Sequence, residues 1–230
     1  MTLKIDWATH AAAKYACTHF HYSESVPAGK LIKVGAWEDG KFIGVVIFSR
    51  GANQYIGSPY GLKQTECCEL TRVALTKHKA FVSEVLAKAI KFLKEFNPSM
   101  RLIVSYADTE QKHHGGIYQA TNWIYEGKTG GEEYFIINGK KTHGKTIHSK
   151  YGTGSQNLNF LRKHVDPKAS KYKTTGKHKY LMPLDKKMRK EILPLNKPYP
   201  KQKEAECSKH STLSLGDKHP RDSEDTTRGF

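Results

Sequence analysis

The sequence predicts an α/β protein of the α+β kind: a mixed central sheet flanked by helices, with a basic extension on its carboxyl-terminal side. Three stretches predict it. Residues 30–38 and 41–50 alternate apolar and polar positions on either side of Asp39-Gly40, the pair that closes a two-residue hairpin. Between residues 80 and 96, Val82, Val85, Leu86, Ala89, Ile90, Leu93 and Phe96 recur at helical spacing, and Lys88, Lys91 and Lys94 take the other side. Leu102, Ile103 and Val104 form a continuous apolar run, as a strand covered on both faces requires.

The remaining elements follow in order. Asp6 is placed to cap a helix through Trp7, Ala11, Ala12, Tyr15 and Ala16. His10, His19 and His21 decorate it as surface or hydrogen-bonded histidines, since no Cys or carboxylate nearby completes a metal-ligand set. Residues 51–64 are rich in Gly, Asn, Ser, Pro and Tyr, a loop long enough to be functional. In and beside it Arg50, Asn53, Tyr55 and Tyr60 suit stacking on or hydrogen-bonding to a base, or else an ordinary surface loop. Residues 66–76 read as a strand with Leu70, Val73 and Leu75 apolar and Glu69 and Arg72 polar. The long helix ends at Asn97-Pro98.

Beyond the apolar run, Ser105, Tyr106 and Asp108 place hydroxyls and a carboxylate at the strand's carboxyl end, where sites form in open sheets. A loop with His113, His114, Gly115 and Gly116 then leads into a helix through Ile117, Tyr118, Ala120, Trp123 and Ile124, stopped by Gly127. Residues 132–138 predict a further strand of the sheet, and 187–193 a short helix halted by Pro194.

A formal charge of +16 points to a polyanionic partner, with nucleic acid ahead of an anionic membrane surface. Nearly all of that charge is local. Residues 139–203 hold eighteen Lys and Arg against three acidic residues, a net +15. Lys150, Tyr151, Arg162, Lys163, Lys171, Lys173, Lys186, Lys187 and Arg189 are the candidate nucleic-acid contacts, combining phosphate neutralisation with interleaved aromatic rings. No stretch approaches the roughly 20 apolar residues that span a bilayer, and the N-terminus lacks a signal-peptide core, so a soluble intracellular protein with no membrane partner is expected. Four cysteines at no metal-ligand spacing are expected to stay reduced, and no metal site is predicted. Residues 204–230 have the composition of a disordered tail.

The strand, helix, apolar strand and then IYQATNWIYEG resemble the core of the GNAT superfamily of N-acetyltransferases. Ile117-Tyr118, Asn122-Trp123 and Gly127 stand where that superfamily carries an aliphatic-Tyr pair, a Gly-Phe pair and a turn glycine. The resemblance implies a GNAT-like catalytic domain over residues 1–145, with a basic extension over 146–203 packed on or beside it. It also implies Tyr118 as general acid, unless that ring is simply a core tyrosine. Asp108 is then a proton acceptor, an anchor for an amino group, or a plain turn residue, and Ser105 a hydrogen-bonding partner.

Lys77, His78 and Lys79, with Arg72 and Tyr106, are the candidate donor-binding residues. They include a departure from the superfamily. Where its glycine-rich pyrophosphate loop presents backbone N–H groups to coenzyme A, this chain has Thr76-Lys77-His78-Lys79-Ala80-Phe81, with no glycine.

A narrower resemblance covers the chain to about residue 203. ELTRVAL, SYADTEQKHHGGIYQATNWIYEG, NGKKTHGKT, KYGTG, KHKYLMPLDKKMRK and PYPK together are similar to the Mom family of DNA-modification proteins of transposable phages. That family implies, in the host-cell cytoplasm, conversion of adenine in duplex DNA to N6-carbamoylmethyladenine, which protects phage DNA from restriction. A base inside a duplex must be flipped out to reach a pocket. The product places a CH2 on N6 and an amide beyond it, and acetyl transfer does not give those atoms. Glycyl transfer followed by rearrangement does, so glycyl-tRNA is favoured over acetyl-coenzyme A as acyl donor, with tRNA as a second nucleic-acid partner. Acetyl-coenzyme A remains the rival donor. A non-enzymatic phage DNA-binding protein and a small-molecule or protein acetyltransferase remain the rival functions. Oligomeric state and metal dependence stay open.

Overall fold

Asp39 and Gly40 both take left-handed backbone angles, with φ of 49° and 80°, and fold β2 (Leu31–Glu38) back onto β3 (Lys41–Ser49). The structure, a computed structural model, describes residues 1–51 and 55–201; Asn53, Lys203 and the tail at 204–230 lie outside the described residues. At the outer edge the expected N-terminal helix starts late. Residues Leu3–Trp7 form β1, paired antiparallel with β2, and Asp6 is a strand residue whose carboxylate accepts from the Trp7 N–H. Leu3 and Ile5 alternate onto the core, and the ladder to β2 satisfies their backbone. The helix, α1 (His10–Phe20), is capped by Thr9, whose hydroxyl accepts from the Ala12 N–H at 3.1 Å.

Next come β4 (Cys67–Leu75), α2 (Val82–Phe96) and β5 (Leu102–Asp108), a crossover that makes β4 and β5 parallel. The helix after β5 is shorter than predicted. It is α3 (Gly116–Gln119), because Asn122 turns at φ 58° and sends Trp123 into the core, while Ile124 opens β6 (Ile124–Lys128).

The strand predicted at 132–138 forms as β7 (Glu133–Ile137), in a second sheet rather than the first. With β8 (Lys140–His143) and β9 (Ser170–Lys173) it makes a three-stranded sheet in the order β8-β7-β9, covered by α4 (Gly144–Tyr151) and α5 (Leu158–His164). Phe135, Ile137, Ile147, Leu161 and Ala169 form its own small core.

The chain then re-enters the first sheet as β10 (Lys177–Pro183), antiparallel to both β5 and β6, before α6 (Lys186–Ile192) closes over it. The seven-stranded order is β1-β2-β3-β4-β5-β10-β6, and all its neighbouring pairs except β4–β5 are antiparallel. Part of the basic stretch is thus an interior strand, with Tyr180 and Leu181 fully buried, and residues 129–176 are an insertion between two strands of the main sheet.

Helices cover both faces of that sheet. On one, α2 packs over Val34, Val46, Phe48, Leu70 and Ile103. On the other, α1 covers Val45, Ile47 and Ala74, while α6 covers Leu102, Val104, Ile124 and Leu181. If β10 is integral, Leu181→Ala will destabilise the whole chain by about 3 kcal/mol. A single urea transition shifted to lower concentration is the expected measurement, with the two sheets unfolding together.

Candidate functional site

The parallel ladder between β4 and β5 runs only from Cys67–Leu102 to Leu70–Ser105. Beyond that pair β4 stays with β3 and β5 stays with β10, so the two strands diverge. A cavity of about 570 Å³ fills the gap, walled by Leu70–Val73 of β4, Tyr106–Asp108 of β5, Lys112–Tyr118 and the end of α1 with His21 and Tyr22.

One extra residue on β4 decides what faces this space. Ile47 pairs with Arg72 and Phe48 with Leu70, which leaves Thr71 as a β-bulge, its hydroxyl donating to the Ile47 carbonyl at 3.1 Å. Alternation slips by one there. Cys68 and Leu70 before the bulge, and Val73 and Leu75 after it, all pack on the α2 side; Ala74 packs under α1. Arg72 therefore lies with Ala74 on the α1 side and borders the cavity. Its Nη1 donates to the Thr71 carbonyl at 2.7 Å, but its Nε–H is buried with no hydrogen-bond partner. Among the described residues no carboxylate ion-pairs with it.

Tyr118 stands at the point of divergence. It is 8% exposed, and its ring packs against Trp123 and Tyr180 at centroid distances of 4.9 and 4.8 Å. Ser105 Oγ, fully buried behind it, lies 2.8 Å from both the Tyr118 oxygen and the Leu70 carbonyl oxygen. The serine has one proton to give. Donated to Leu70, it leaves Ser105 to accept from Tyr118; donated to Tyr118, it frees the phenol proton for the cavity and stabilises the phenolate left after transfer. Burial raises the Tyr118 pKa to about 12, so the phenol keeps its proton at neutral pH.

Gly115 makes this packing possible. At φ 82° it brings the backbone against Tyr180, where a Cβ would lie 2.4 Å from the ring, and Tyr180 donates its hydroxyl to the His114 carbonyl.

His21 is the residue that sequence reasoning set aside. The Ser23 N–H donates to its Nδ1 at 3.1 Å, so that nitrogen carries the lone pair, and the Ser23 hydroxyl adds a second bond at 2.8 Å. The proton of the neutral ring is on Nε2. Burial, then the charges of Arg72 and His113, push its pKa down to about 4. Tyr22 beside it packs edge-on against His113. Nothing at residues 19–22 announces a pocket; a loop that leaves a helix toward a strand end is visible only in three dimensions.

The structure brings Tyr118, Asp108, Arg72 and Tyr106 to one cavity, with Ser105 bonded behind Tyr118. Asp108 also closes a turn by accepting from the Glu110 N–H. Lys77, His78 and Lys79 do not line that cavity. They sit on the loop entering α2, where both oxygens of Glu38 accept from the Lys79 N–H at 3.0 Å and one accepts from the Ala80 N–H at 2.7 Å. Two of the backbone donors of that loop, the Lys79 and Ala80 N–H groups, thus hold an internal carboxylate.

Tyr60, expected to stack on a base, is instead buried, with its hydroxyl donating to Glu126 at 2.6 Å. Arg50 and Tyr55 are exposed on the loop side. Lys150, Arg162, Lys163, Lys171 and Lys173 are exposed on the inserted sheet and its helices, and Lys186, Lys187 and Arg189 on α6; Tyr151 is half-buried under Lys150.

The inserted sheet is fastened to the rim of the cavity. Glu110 accepts from Lys141 Nζ at 2.5 Å and from the Tyr172 hydroxyl at 2.7 Å, and Thr109 bonds to Thr175 and Gly176. Among the described residues no three His, Cys, Asp or Glu side chains are grouped to hold a metal ion, and no helix is long and apolar enough to cross a membrane.

Compared with known proteins, the chain matches the model of the Mom protein family over residues 2–201. No curated protein matches it.

The His21 environment is directly measurable. Its ring nitrogens in an NMR pH titration are expected to report the Nε2–H tautomer at neutral pH and protonation near pH 4. Its folded pKa lies below the ordinary value of about 6.5, so the unfolded chain binds the extra proton first, and stability contributed here falls as pH drops from about 6.5 to 4.

Proposed function

Because the chain belongs to the Mom protein family, whose members modify phage DNA, we propose that it is a GNAT-type acyltransferase that converts adenine in duplex DNA to N6-carbamoylmethyladenine. The observation that carries this reading is the cavity where parallel β4 and β5 part, with a protonated tyrosine at its apex and, on its wall, an arginine with no ion pair among the described residues. The crossover of β4, α2 and β5 is the part of the chain on which the N-acetyltransferase resemblance rests, and its divergence gives an acyl group a place to sit.

Glycyl-tRNA is the donor this reading favours. Adenine N6 attacks the glycyl ester carbonyl, forming the C–N bond, and one N6 proton passes to Asp108. The ribose oxygen leaves with its bonding pair and takes the Tyr118 proton. The product, N6-glycyladenine, has a free amine that attacks C6 through a five-membered spiro adduct. The original C6–N6 bond then breaks, and N6 becomes the terminal amide of a carbamoylmethyl group. Every atom of the product is accounted for without a second donor.

Two further features support the assignment. Glu38 occupies the Lys79 and Ala80 N–H groups on the loop entering α2, the stretch that stands in for the superfamily's pyrophosphate loop, whereas an aminoacyl ester needs no pyrophosphate site. The cations on the inserted sheet and α6 supply phosphate contacts for a flipped duplex and for a tRNA, more than one DNA site requires. Both polyanions are at hand in the host-cell cytoplasm, where this activity would work. Catalysis then belongs to the main sheet, with the 129–176 insertion and α6 as the nucleic-acid grip.

Cells expressing the chain and fed labelled glycine or labelled acetate separate the donors. Label from glycine in the modified base, seen by mass spectrometry of digested DNA, is expected; label from acetate alone sinks the tRNA route, and no modified base at all favours a simple DNA-binding protein. Tyr118→Phe keeps the ring packing and removes the acid. It is expected to lower modification by about 10²–10⁴-fold while the variant still binds DNA with wild-type salt dependence.

A further inference from the structure

The least explained group in the molecule is Arg72. A half-buried cation with no ion pair among the described residues, and a Nε–H buried without a hydrogen-bond partner, is costly to keep, and here a β-bulge turns the side chain toward the cavity wall. Its position relative to Tyr118 is set by backbone. Tyr118 is tied through Ser105 to the Leu70 carbonyl, and Arg72 is tied to the next carbonyl along, that of Thr71. Acid and cation thus flank the same point of divergence from two sides.

His21 lies on the same wall, and its Nδ1 is occupied by Ser23, so the ring offers one donor and no base. Neither group suits proton abstraction. Together they suit an oxygen that gains negative charge.

We propose that the Arg72 guanidinium and His21 Nε2–H form an oxyanion site for the acyl carbonyl, opposite Tyr118. This rests on the acyl-transfer reading above. As N6 attacks the ester carbon, the carbonyl π pair moves onto oxygen and is held by these two donors. When the adduct collapses the pair returns, the C–O bond to the ribose breaks, and that oxygen takes the Tyr118 proton. The cation meets its counter-charge only in the adduct, which is where binding energy accelerates a reaction. A neutral His21 adds a hydrogen bond without a second positive charge beside Arg72.

The test uses the full-length chain in a cell extract, which supplies the donor whatever its identity, with plasmid DNA as the varied substrate. Arg72→Met and His21→Phe are each expected to lower the maximal rate of adenine modification by about 10²–10³-fold with little change in the apparent KM for DNA. His21→Gln, which restores an N–H donor, is expected to recover at least tenfold over His21→Phe, and Arg72→Lys to fall between wild type and Arg72→Met. Thermal unfolding of each variant checks that it is folded; a variant that fails to fold is replaced in the comparison by its conservative partner. Rates at the wild-type level in folded variants, or a change confined to KM, overturn the oxyanion site while leaving the acyltransferase intact. Absence of modified adenine with the wild-type chain overturns both.

Discussion

The parting of β4 from β5 is the constraint on which the rest of the molecule depends. Two parallel strands that pair for four residues and then separate leave backbone and side chains uncovered at the sheet's centre. Each strand must be held from its other side. β3 holds β4 through the bulged ladder, and β10 holds β5 along its full length, from Leu102 to Asp108. Without β10 the carboxyl end of β5 would be unpaired on both edges, so the catalytic proposal and the topology are one matter. The bulge at Thr71 adds the second half of the device. It lets Val73 and Leu75 continue the hydrophobic face under α2 while turning Arg72 the other way.

Much of this was written in the sequence, though the strand at residues 66–76 was read without its bulge. Leu70, Val73 and Leu75 are spaced by three and then two, and a strand that keeps its apolar face across a three-residue step must contain an extra residue. The hairpin, α2 and β5 were legible because each has a strong local signal: a turn pair, a helical period, an apolar run. The N-terminal strand was not, since Leu3, Ile5 and Asp6 show their alternation over only a few residues and the helical stretch that follows overshadows it. β10 was hidden by its charge. Lys177 and Lys179 flank an apolar Tyr180-Leu181-Met182, and strands from distant parts of a chain pair by register that no local pattern declares. The candidate cavity was half legible: Tyr118, Ser105, Asp108 and Arg72, which meet at or behind it, were singled out from strand ends and a helix start. His21 was not, because its place on the cavity wall depends on where a loop passes, and Tyr60 looked exposed because nothing local shows Glu126 waiting for its hydroxyl.

The inserted sheet explains how a strongly basic surface is kept in register with the cavity. Its core is small, five buried residues in all, and would be marginal alone. Anchoring comes from both ends of the insertion, which belong to adjacent strands β6 and β10, and from Glu110 on the loop that borders the cavity. Lys141 lies over the rings of Tyr134 and Tyr172 while it pairs with that carboxylate. Any polyanion gripped by the insertion is therefore gripped at a fixed distance from Tyr118, as the proposed delivery of a flipped base would require.

The contrast between Glu38 and Arg72 shows how charge is managed here. Glu38 finds two backbone N–H groups, its carboxyl is held below the usual range chiefly by the Lys79 N–H, and the loop into α2 is closed by the chain itself. Among the described residues Arg72 finds a single carbonyl and no ion pair. Folding satisfied the first charge and left the second waiting. A fold that can pair a carboxylate with two donors on a glycine-free loop has the means to pair an arginine as well, and Asp108 borders the same cavity. In the acyl transfer proposed above, the charge that develops on the substrate would offset a cation that has no ion pair among the described residues.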